Sequence, residues 1–156
     1  MHNLLLLAVL SLYGEEISKA EQRYRIPRRL LLSVCRIESG LDVLAYSYLD
    51  GKGDRNHSFG ICQVTYETAK IVGWKEDTRC REDFRAANGR GYSSCSLFGL
   101  KTNLNLAAKY LSMQLNRYRE NTRKAVSAYN AGTYTVKNRK YVDKIMEVWS
   151  ATTKPQ

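Results

Sequence analysis

Apolar residues recur at intervals of three and four along most of the chain, which predicts α-helices rather than strands. The longest series lies within residues 104–118 and follows i, i+3, i+4, i+7, i+11 and i+14. Shorter series predict further helices over residues 15–25, 27–40, 65–72, 122–132 and 142–149. Residues 41–64 mix Gly, Asp, Asn and Ser with short apolar pieces, which predicts a loop or a small irregular β-hairpin. The pattern therefore predicts a mainly α single domain.

The ends of these helices carry recognisable signals. Pro27 suits a first helical turn, and Asn121 or Thr122 suits the N-cap of the helix that follows. Glycines predict C-terminal stops where they follow an apolar series, since glycine tolerates the left-handed conformation that ends many helices. Three glycines are so placed: Gly40, Gly73 and Gly132.

Residues 4–12 form one apolar run interrupted only by Ser11. The run is too short for a transmembrane helix and has the length of a signal-peptide core. It is either a first helix packed on the core or the remnant of an export signal, and we favour the packed helix. The expected organisation is an apolar segment over residues 1–14, one folded domain over residues 15–150 and a tail over residues 151–156.

The amino-acid composition limits the classes of protein to which this chain can belong. The chain has 156 residues, of which 44% are hydrophobic and 26% charged, values that exclude wholesale disorder and a polytopic membrane protein. Lys and Arg outnumber Asp and Glu by 25 to 15, which gives a net charge of +10. Such a protein is attracted to polyanions, whether nucleic acid, phospholipid or an acidic cell-wall polymer, although its basic residues form no single block.

Four cysteines allow three fully paired connectivities. Cys80 and Cys95 flank a polar stretch rich in Arg and Gly, and we predict a disulfide between them and an oxidising compartment. Cys35 and Cys62 lie in apolar runs and are predicted to be buried thiols. With two histidines and no Cys-x-x-Cys pair, the chain offers almost no ligand set for structural zinc, and no metal or organic cofactor is implied.

Glu38 is the first candidate for chemistry. It lies near the end of an otherwise apolar helical face, where partial burial and the negative end of the helix dipole both raise the pKa of a carboxyl group. A raised pKa suits a general acid that works near neutral pH. The alternative is a surface glutamate paired with Arg36 or another arginine.

Three motifs around Glu38 and farther along the chain resemble those of one enzyme family. Residues 38–47, Glu-Ser-Gly-Leu-Asp-Val-Leu-Ala-Tyr-Ser, are similar to the Glu-Ser-x-x-Asn/Asp-Pro-x-Ala-x-Ser signature of the lysozyme-like lytic transglycosylases. Residues 58–64, Ser-Phe-Gly-Ile-Cys-Gln-Val, resemble the family's Ser-x-Gly-Leu-Met-Gln-Ile motif, and residues 128–132 match its Ala-Tyr-Asn-Ala-Gly motif. The motifs come in the family's order and cover roughly residues 15–150.

The resemblance implies a lysozyme-like fold, related to goose-type lysozymes, and cleavage of the β-1,4 bond between N-acetylmuramic acid and N-acetylglucosamine in peptidoglycan glycan strands. Glu38 would protonate the glycosidic oxygen and then act as base on the muramyl 6-hydroxyl. That hydroxyl attacks the anomeric carbon and leaves a 1,6-anhydro sugar, so no water and no second protein carboxylate is required. This departs from the two-carboxylate arrangement of most glycosidases.

Other roles are implied residue by residue. Ser39 and Ser47 would form hydrogen bonds near the acid, and Tyr129 would place its hydroxyl beside Glu38 and fix the rotamer of that side chain. The remaining family positions would bind the glycan, and Gly60 would do so because backbone must approach the sugar closely. These substrate-binding positions are Ser58, Gly60, Gln63, Asn130 and Tyr141.

The chain departs from the family pattern between residues 48 and 57, a longer segment that contains Gly-Asp-Arg. This segment resembles the corresponding stretch of goose-type lysozymes, which hydrolyse the same bond. Asp54 would there hold an attacking water, whereas its plainer interpretation is a turn former beside Gly53. The acidic residue that follows Gln-Val in goose-type enzymes is Thr65 here, which favours the non-hydrolytic route.

Two other classes of function remain open from the sequence. Residues 126–148 can be drawn as a helix-turn-helix, and the positive charge suits DNA. However, the second helix carries a mostly core-seeking face of Tyr141, Val142, Ile145, Met146 and Trp149. A wall-binding module without activity is the other alternative. We expect a monomer in the bacterial cell envelope, periplasmic or secreted, that binds peptidoglycan and no nucleic acid.

Overall fold

The computed structural model describes residues 2–47, 57–77, 80 and 95–153, with side chains described from residue 13 onward. Most of these residues are helical, as the sequence pattern predicts. The α-helices are α1 (His2–Arg23), α2 (Leu30–Ser39), α3 (Tyr66–Ile71), α4 (Leu100–Arg117), α5 (Thr122–Ala131) and α6 (Arg139–Thr153). Short 3-10 helices lie at Ser96–Phe98 and Val136–Asn138.

A small antiparallel sheet occupies the region predicted as a loop or irregular hairpin. Its strands are β1 (Tyr46–Ser47), β2 (Ser58–Phe59) and β3 (Val64–Thr65), in the order β1-β2-β3. β2 and β3 are joined by a tight turn over residues 60–63, in which the N–H of Gln63 donates to the carbonyl of Gly60 at 3.1 Å. We call this segment the 60–63 turn.

Several predicted helix ends are confirmed. Gly40 follows α2 with φ +69° and Gly132 follows α5 with φ +76°, so each adopts the left-handed conformation that stops a helix. Asn121 caps α5, because its side-chain oxygen accepts the N–H of Lys124 at 3.0 Å. Thr65 caps α3 in the same manner.

The start of α2 differs from the prediction. The helix begins at Leu30 rather than at Pro27, because Arg29 has a left-handed φ of +65° and breaks the helical path. Glu21 supplies the missing cap from the neighbouring helix, since its carboxylate accepts the N–H groups of Arg29 at 2.9 Å and Leu31 at 3.1 Å. A buried acid on α1 therefore anchors the first turn of α2.

The N-terminal region forms one helix, since α1 runs from His2 to Arg23 without a boundary near residue 14. Ile17 and Ala20 from this helix are buried in the core. None of the described helices is long and apolar enough to cross a membrane. At the other end of the chain α6 continues to Thr153, so the first residues of the predicted tail are helical.

The core forms around α4, which contacts α1, α2, α3 and α5. α6 packs against α2 and α5 and buries Val142 and Ile145, with Ile145 fully inaccessible to solvent. These two residues belong to the face that would have been the recognition surface of a helix-turn-helix. That face is instead used for packing, as its apolar character predicts.

Both pairs of cysteines form disulfides. The predicted bond between Cys80 and Cys95 is confirmed, with their Cα atoms 4.5 Å apart. The prediction of buried free thiols at Cys35 and Cys62 is wrong, because these residues form a second disulfide with a Cα separation of 4.1 Å. Both residues are fully buried, as expected, but α2 and the 60–63 turn pack closely enough to bring the two sulfurs together.

Asn103 on α4 joins the helical core to the sheet, a role that was not predicted from the sequence. Its side chain is fully buried, and its amide nitrogen donates to the carbonyls of Phe59 and Leu97, each at 2.7 Å. Its amide oxygen accepts the N–H of Cys62 at 3.0 Å. A polar residue in step with the apolar positions of an amphipathic helix was the available signal, since such a group needs hydrogen-bond partners when buried.

Replacing Asn103 by Ala is expected to lower the free energy of unfolding by about 2–4 kcal/mol, because two carbonyls and one N–H lose their buried partner. Chemical denaturation of both proteins measures this difference. Asn105→Ala on the same helix is the matched control, since that side chain makes only exposed hydrogen bonds. Equal losses in the two variants would contradict the assigned role of Asn103.

Candidate active site

Four segments that lie far apart in the sequence meet beside the last turn of α2. Glu38 and Ser39 come from that turn, and the 60–63 turn packs against it through Cys62 and Ile61. α5 contributes Tyr129 and Asn130 from its C-terminal end, and α6 contributes Tyr141 from its first turn. The structure thus brings residues from all three sequence motifs to one place.

Glu38 is half-buried, and two side chains form hydrogen bonds with its carboxyl group. The hydroxyl of Tyr141 donates to Oε1 of Glu38, and the Asn130 side chain donates a second hydrogen bond. Burial raises the pKa of Glu38 above the ordinary value of 4.5, while the bonds from Tyr141 and Asn130 lower it in part. Burial is the larger effect, so Glu38 keeps its proton to a higher pH than an exposed glutamate does.

The hydroxyl that is hydrogen-bonded to Glu38 belongs to Tyr141, whereas Tyr129, predicted to lie beside Glu38, donates its hydroxyl to another group. Tyr129 donates its hydroxyl to the backbone carbonyl of Cys62 at 2.9 Å, and its ring packs on Tyr110 with centroids 5.6 Å apart. Tyr141, predicted as a substrate contact, donates its hydroxyl to Glu38. α6 packs against α2, and Tyr141 in the first turn of α6 reaches the carboxyl group at the end of α2.

Both tyrosine hydroxyls are held in the protonated form. Burial and the nearby charge of Glu38 raise the pKa of Tyr129 and of Tyr141 far above the ordinary value of 10.0. A phenol that does not ionise is a permanent hydrogen-bond donor. Tyr141 therefore donates to Glu38 whether the carboxyl group is neutral or charged.

Ser39 links the last turn of α2 to the 60–63 turn. Its hydroxyl donates to the carbonyl of Ile61 at 2.6 Å and accepts the N–H of Asp42 at 3.1 Å. Ser39 therefore follows Glu38 directly in the sequence, and its hydroxyl forms hydrogen bonds with backbone groups around that residue. This agrees with the predicted place of Ser39 near the surroundings of Glu38.

Ser47 and Gln63 form a second link between the sheet and the turn. The Ser47 hydroxyl donates to Oε1 of Gln63 at 2.7 Å, and Nε2 of Gln63 donates to the carbonyls of Ala45 and Gly60, both at 3.1 Å. Gln63 has a left-handed φ of +49°, and 9% of it is exposed. Both N–H donors of the Gln63 side-chain amide are engaged within the protein. What the amide can offer a ligand is therefore the remaining acceptor position on Oε1.

Position 60 requires a glycine because of its backbone conformation and the packing around it. Its φ is +67°, and a Cβ atom there would lie 2.8 Å from Nδ2 of Asn103, closer than real contacts permit. Glycine was predicted here because a sugar would approach the backbone closely. In the structure, the group that approaches Gly60 closely is the Asn103 side chain, on the inner side of the 60–63 turn. Whether the outer side also contacts substrate stays a prediction.

The remaining predicted residues fall at the edges of this site or outside the described part of the chain. Ser58 is half-buried on β2 and pairs in register with Ser47 on one side and Thr65 on the other. Asn130 is exposed at the last turn of α5 while also reaching Glu38. Asp54 lies outside the described residues.

A cavity of about 310 Å³ lies elsewhere, at the opposite end of α5 from Tyr129 and Asn130. Two of the basic residues around it, Arg123 and Arg139, form ion pairs with the same carboxylate, that of Asp143. None of the predicted site residues lines this cavity. Its lining consists of Asn121, Arg123, Lys124, Tyr134, Thr135, Val136, Arg139 and Val142.

Comparison with known proteins agrees with the motifs. A family model described as Transglycosylase SLT domain matches residues 15–150. The match includes all four segments that meet at Glu38. No curated protein matches the chain.

Replacing Glu38 by Gln is expected to raise the melting temperature at neutral pH. Burial raises the pKa of Glu38 in the folded state above 4.5, so the folded protein binds the proton more tightly than the unfolded chain does. The stability of the wild type therefore falls as pH rises from about 4.5 through the folded-state pKa, because the unfolded chain ionises first. Gln carries no charge and removes this loss.

Melting curves of wild type and E38Q across this pH range measure the effect. The two melting temperatures should converge at acidic pH and separate as the pH rises. The exposed Glu147→Gln on α6, which also removes one negative charge, is the control. A difference between E38Q and wild type that does not change with pH would contradict the raised pKa.

Proposed function

The chain belongs to the Transglycosylase SLT domain family, which indicates a lytic transglycosylase that cleaves peptidoglycan, and from this premise we propose the bond, the acid and the product. The bond is the β-1,4 linkage between N-acetylmuramic acid and N-acetylglucosamine. Glu38 is the acid and then the base, and the product carries a 1,6-anhydromuramyl end. The observation that carries the proposal is the half-buried Glu38 with the Tyr141 hydroxyl donated to it.

In the first step protonated Glu38 donates its proton to the glycosidic oxygen. The bond between that oxygen and the anomeric carbon of the muramyl residue breaks, and the N-acetylglucosamine residue leaves with a free 4-hydroxyl. Partial burial supports this role because it keeps the carboxyl group protonated at a higher pH. The muramyl ring then carries positive charge at the anomeric carbon.

In the second step the Glu38 carboxylate removes the proton from the muramyl 6-hydroxyl as that oxygen attacks the anomeric carbon. The new bond closes the 1,6-anhydro ring, and the proton returns Glu38 to its starting form. No water is consumed. The hydrogen bonds from Tyr141 and Asn130 support this step, since they stabilise the ionised carboxylate that the first step leaves behind.

The surroundings of Glu38 favour a route with a single carboxylate. In the described part of the chain, the influences on its pKa are burial, Tyr141 and Asn130, and no second carboxylate is among them. The nearest acid in the sequence, Asp42, accepts the N–H of Leu44 at 2.9 Å and so serves a local turn. Hydrolysis through a water held by Asp54 is the alternative, and it predicts a different product.

The substrate would lie along the sheet side of Glu38. Asn130 is exposed and also donates to Glu38, so it is the predicted contact best placed to touch both the acid and a sugar. Ser58 and the free acceptor of Gln63 would add contacts from the sheet. Tyr141 is assigned to Glu38 rather than to the glycan, because its hydroxyl is already donated to the carboxyl group.

Location and surface charge are part of the same proposal. Two disulfides favour an oxidising compartment, and we place the protein in the periplasm or outside the cell as a monomer. Its net charge of +10 would concentrate it on the anionic cell envelope, an attraction that salt weakens. No cofactor enters the proposed reaction.

Mass spectrometry of soluble products from purified peptidoglycan tests the proposal. Wild type should release muropeptides that are lighter by one water than their reducing counterparts, and E38Q should lose this release by at least about a hundredfold. Glu147→Gln is the matched control and should act like wild type, since its side chain is exposed.

Reducing-end products that disappear in E38Q would replace the transglycosylase by a hydrolytic lysozyme and turn attention to Asp54. Undiminished release by E38Q would remove Glu38 as the acid. Binding of peptidoglycan without release by any of the proteins would favour the wall-binding module.

A further inference from the structure

The last two turns of α2 are joined to the 60–63 turn by a covalent bond as well as by hydrogen bonds. Cys35 on α2 forms the disulfide with Cys62, and Ser39 donates to the carbonyl of Ile61 at 2.6 Å. Tyr129 donates to the carbonyl of Cys62 at 2.9 Å, so α5 is fastened to the same point. Three segments of the candidate site thus converge on residues 61 and 62.

The position of Cys35 relative to Glu38 gives the disulfide a specific effect. Residues three positions apart on an α-helix are neighbours on its surface, so Cys35 lies one turn before Glu38 on a similar face. Cys62 directly precedes Gln63, which is hydrogen-bonded to the sheet through Ser47. The disulfide therefore sets the distance between the turn that carries the acid and the turn that carries the proposed glycan contacts.

We propose that the Cys35–Cys62 disulfide is a positioning element of the active site, and that its formation from the two thiols during folding completes the catalytic geometry. The inference rests on the proposed function, because it concerns the placement of Glu38 for that reaction. The chain with two thiols would fold with the last turn of α2 less firmly placed. It would bind glycan but cleave it slowly.

The chemistry of activation is an ordinary thiol–disulfide exchange. A disulfide oxidant takes two electrons and two protons from the thiols of Cys35 and Cys62, and it becomes a dithiol as the protein disulfide forms. Both cysteines are fully buried, so the bond must form while the chain folds and is shielded from reductants afterwards. The enzyme would thus be of low activity in a reducing cytoplasm and active where disulfides persist.

The second disulfide provides a matched control within the same chain. Cys80 and Cys95 are also buried, but neither lies in a segment that carries a predicted catalytic or substrate-binding residue. Its removal deletes a disulfide from the same core without cutting the connection between α2 and the 60–63 turn. The two bonds should therefore differ in their effect on turnover and not only on stability.

The test compares wild type with Cys35→Ala/Cys62→Ala and Cys80→Ala/Cys95→Ala, each at a temperature below its own melting midpoint. Turnover is followed as muropeptide release from purified peptidoglycan. Loss of the Cys35–Cys62 bond should lower kcat by roughly a hundredfold, the effect of about 1 Å of misplacement at a reacting centre. KM should change much less, because the sheet and Asn103 still hold the 60–63 turn.

A second measurement uses the Cys80→Ala/Cys95→Ala protein, which has the remaining disulfide alone. It is refolded with and without dithiothreitol, its thiols are counted by alkylation and mass spectrometry, and circular dichroism confirms the fold. The reduced form should show the same loss of kcat, and it should regain activity after it is unfolded and refolded under oxidising conditions.

Equal kcat values in the two double variants would overturn the inference while leaving the proposed function intact. A Cys35→Ala/Cys62→Ala protein that is unfolded at every temperature would also overturn it, since the bond would then serve the fold as a whole. Absence of release by oxidised wild type would contradict the proposed function itself, and the inference with it.

Discussion

The partial burial of one carboxyl group is the constraint on which this structure depends. Glu38 loses enough water to hold its proton to a higher pH than an exposed glutamate does, and in the proposed reaction its carboxylate must then take a proton back. The hydroxyl of Tyr141 and the side chain of Asn130 meet the second requirement, because their hydrogen bonds favour the ionised form that burial opposes. A general acid that must become a base needs both influences in the same place.

Such a site requires that α2 does not shift, and the fold holds this helix at both ends. Glu21 caps its first turn from α1, and Ser39 with the Cys35–Cys62 bond ties its last turns to the 60–63 turn. Asn103 in turn fixes the far side of that turn to α4. Buried polar groups and a covalent bond, rather than apolar packing alone, determine where the acid lies.

The helices and the neighbourhood of the site could be predicted from the sequence, because local signals determine both. Gly40, Asn121 and Gly132 end or begin helices where their conformations and side chains suggest, and the three motifs meet as expected. Contacts between segments that lie far apart in the sequence were harder to predict. The hydrogen bond from Tyr141 to Glu38 depends on the packing of α6 against α2, and the Cys35–Cys62 pairing depends on a distance between α2 and the 60–63 turn that no local pattern encodes.

The most direct measurement is an NMR titration of the Glu38 side-chain carboxyl carbon, assigned by comparison with E38Q. The account predicts a midpoint above the ordinary 4.5 in wild type, because burial is the dominant influence on this pKa. It also predicts a still higher midpoint in Tyr141→Phe, which lacks the hydrogen bond that favours the charged form. A wild-type midpoint at or below 4.5 would contradict the account, as would a lower midpoint in Tyr141→Phe.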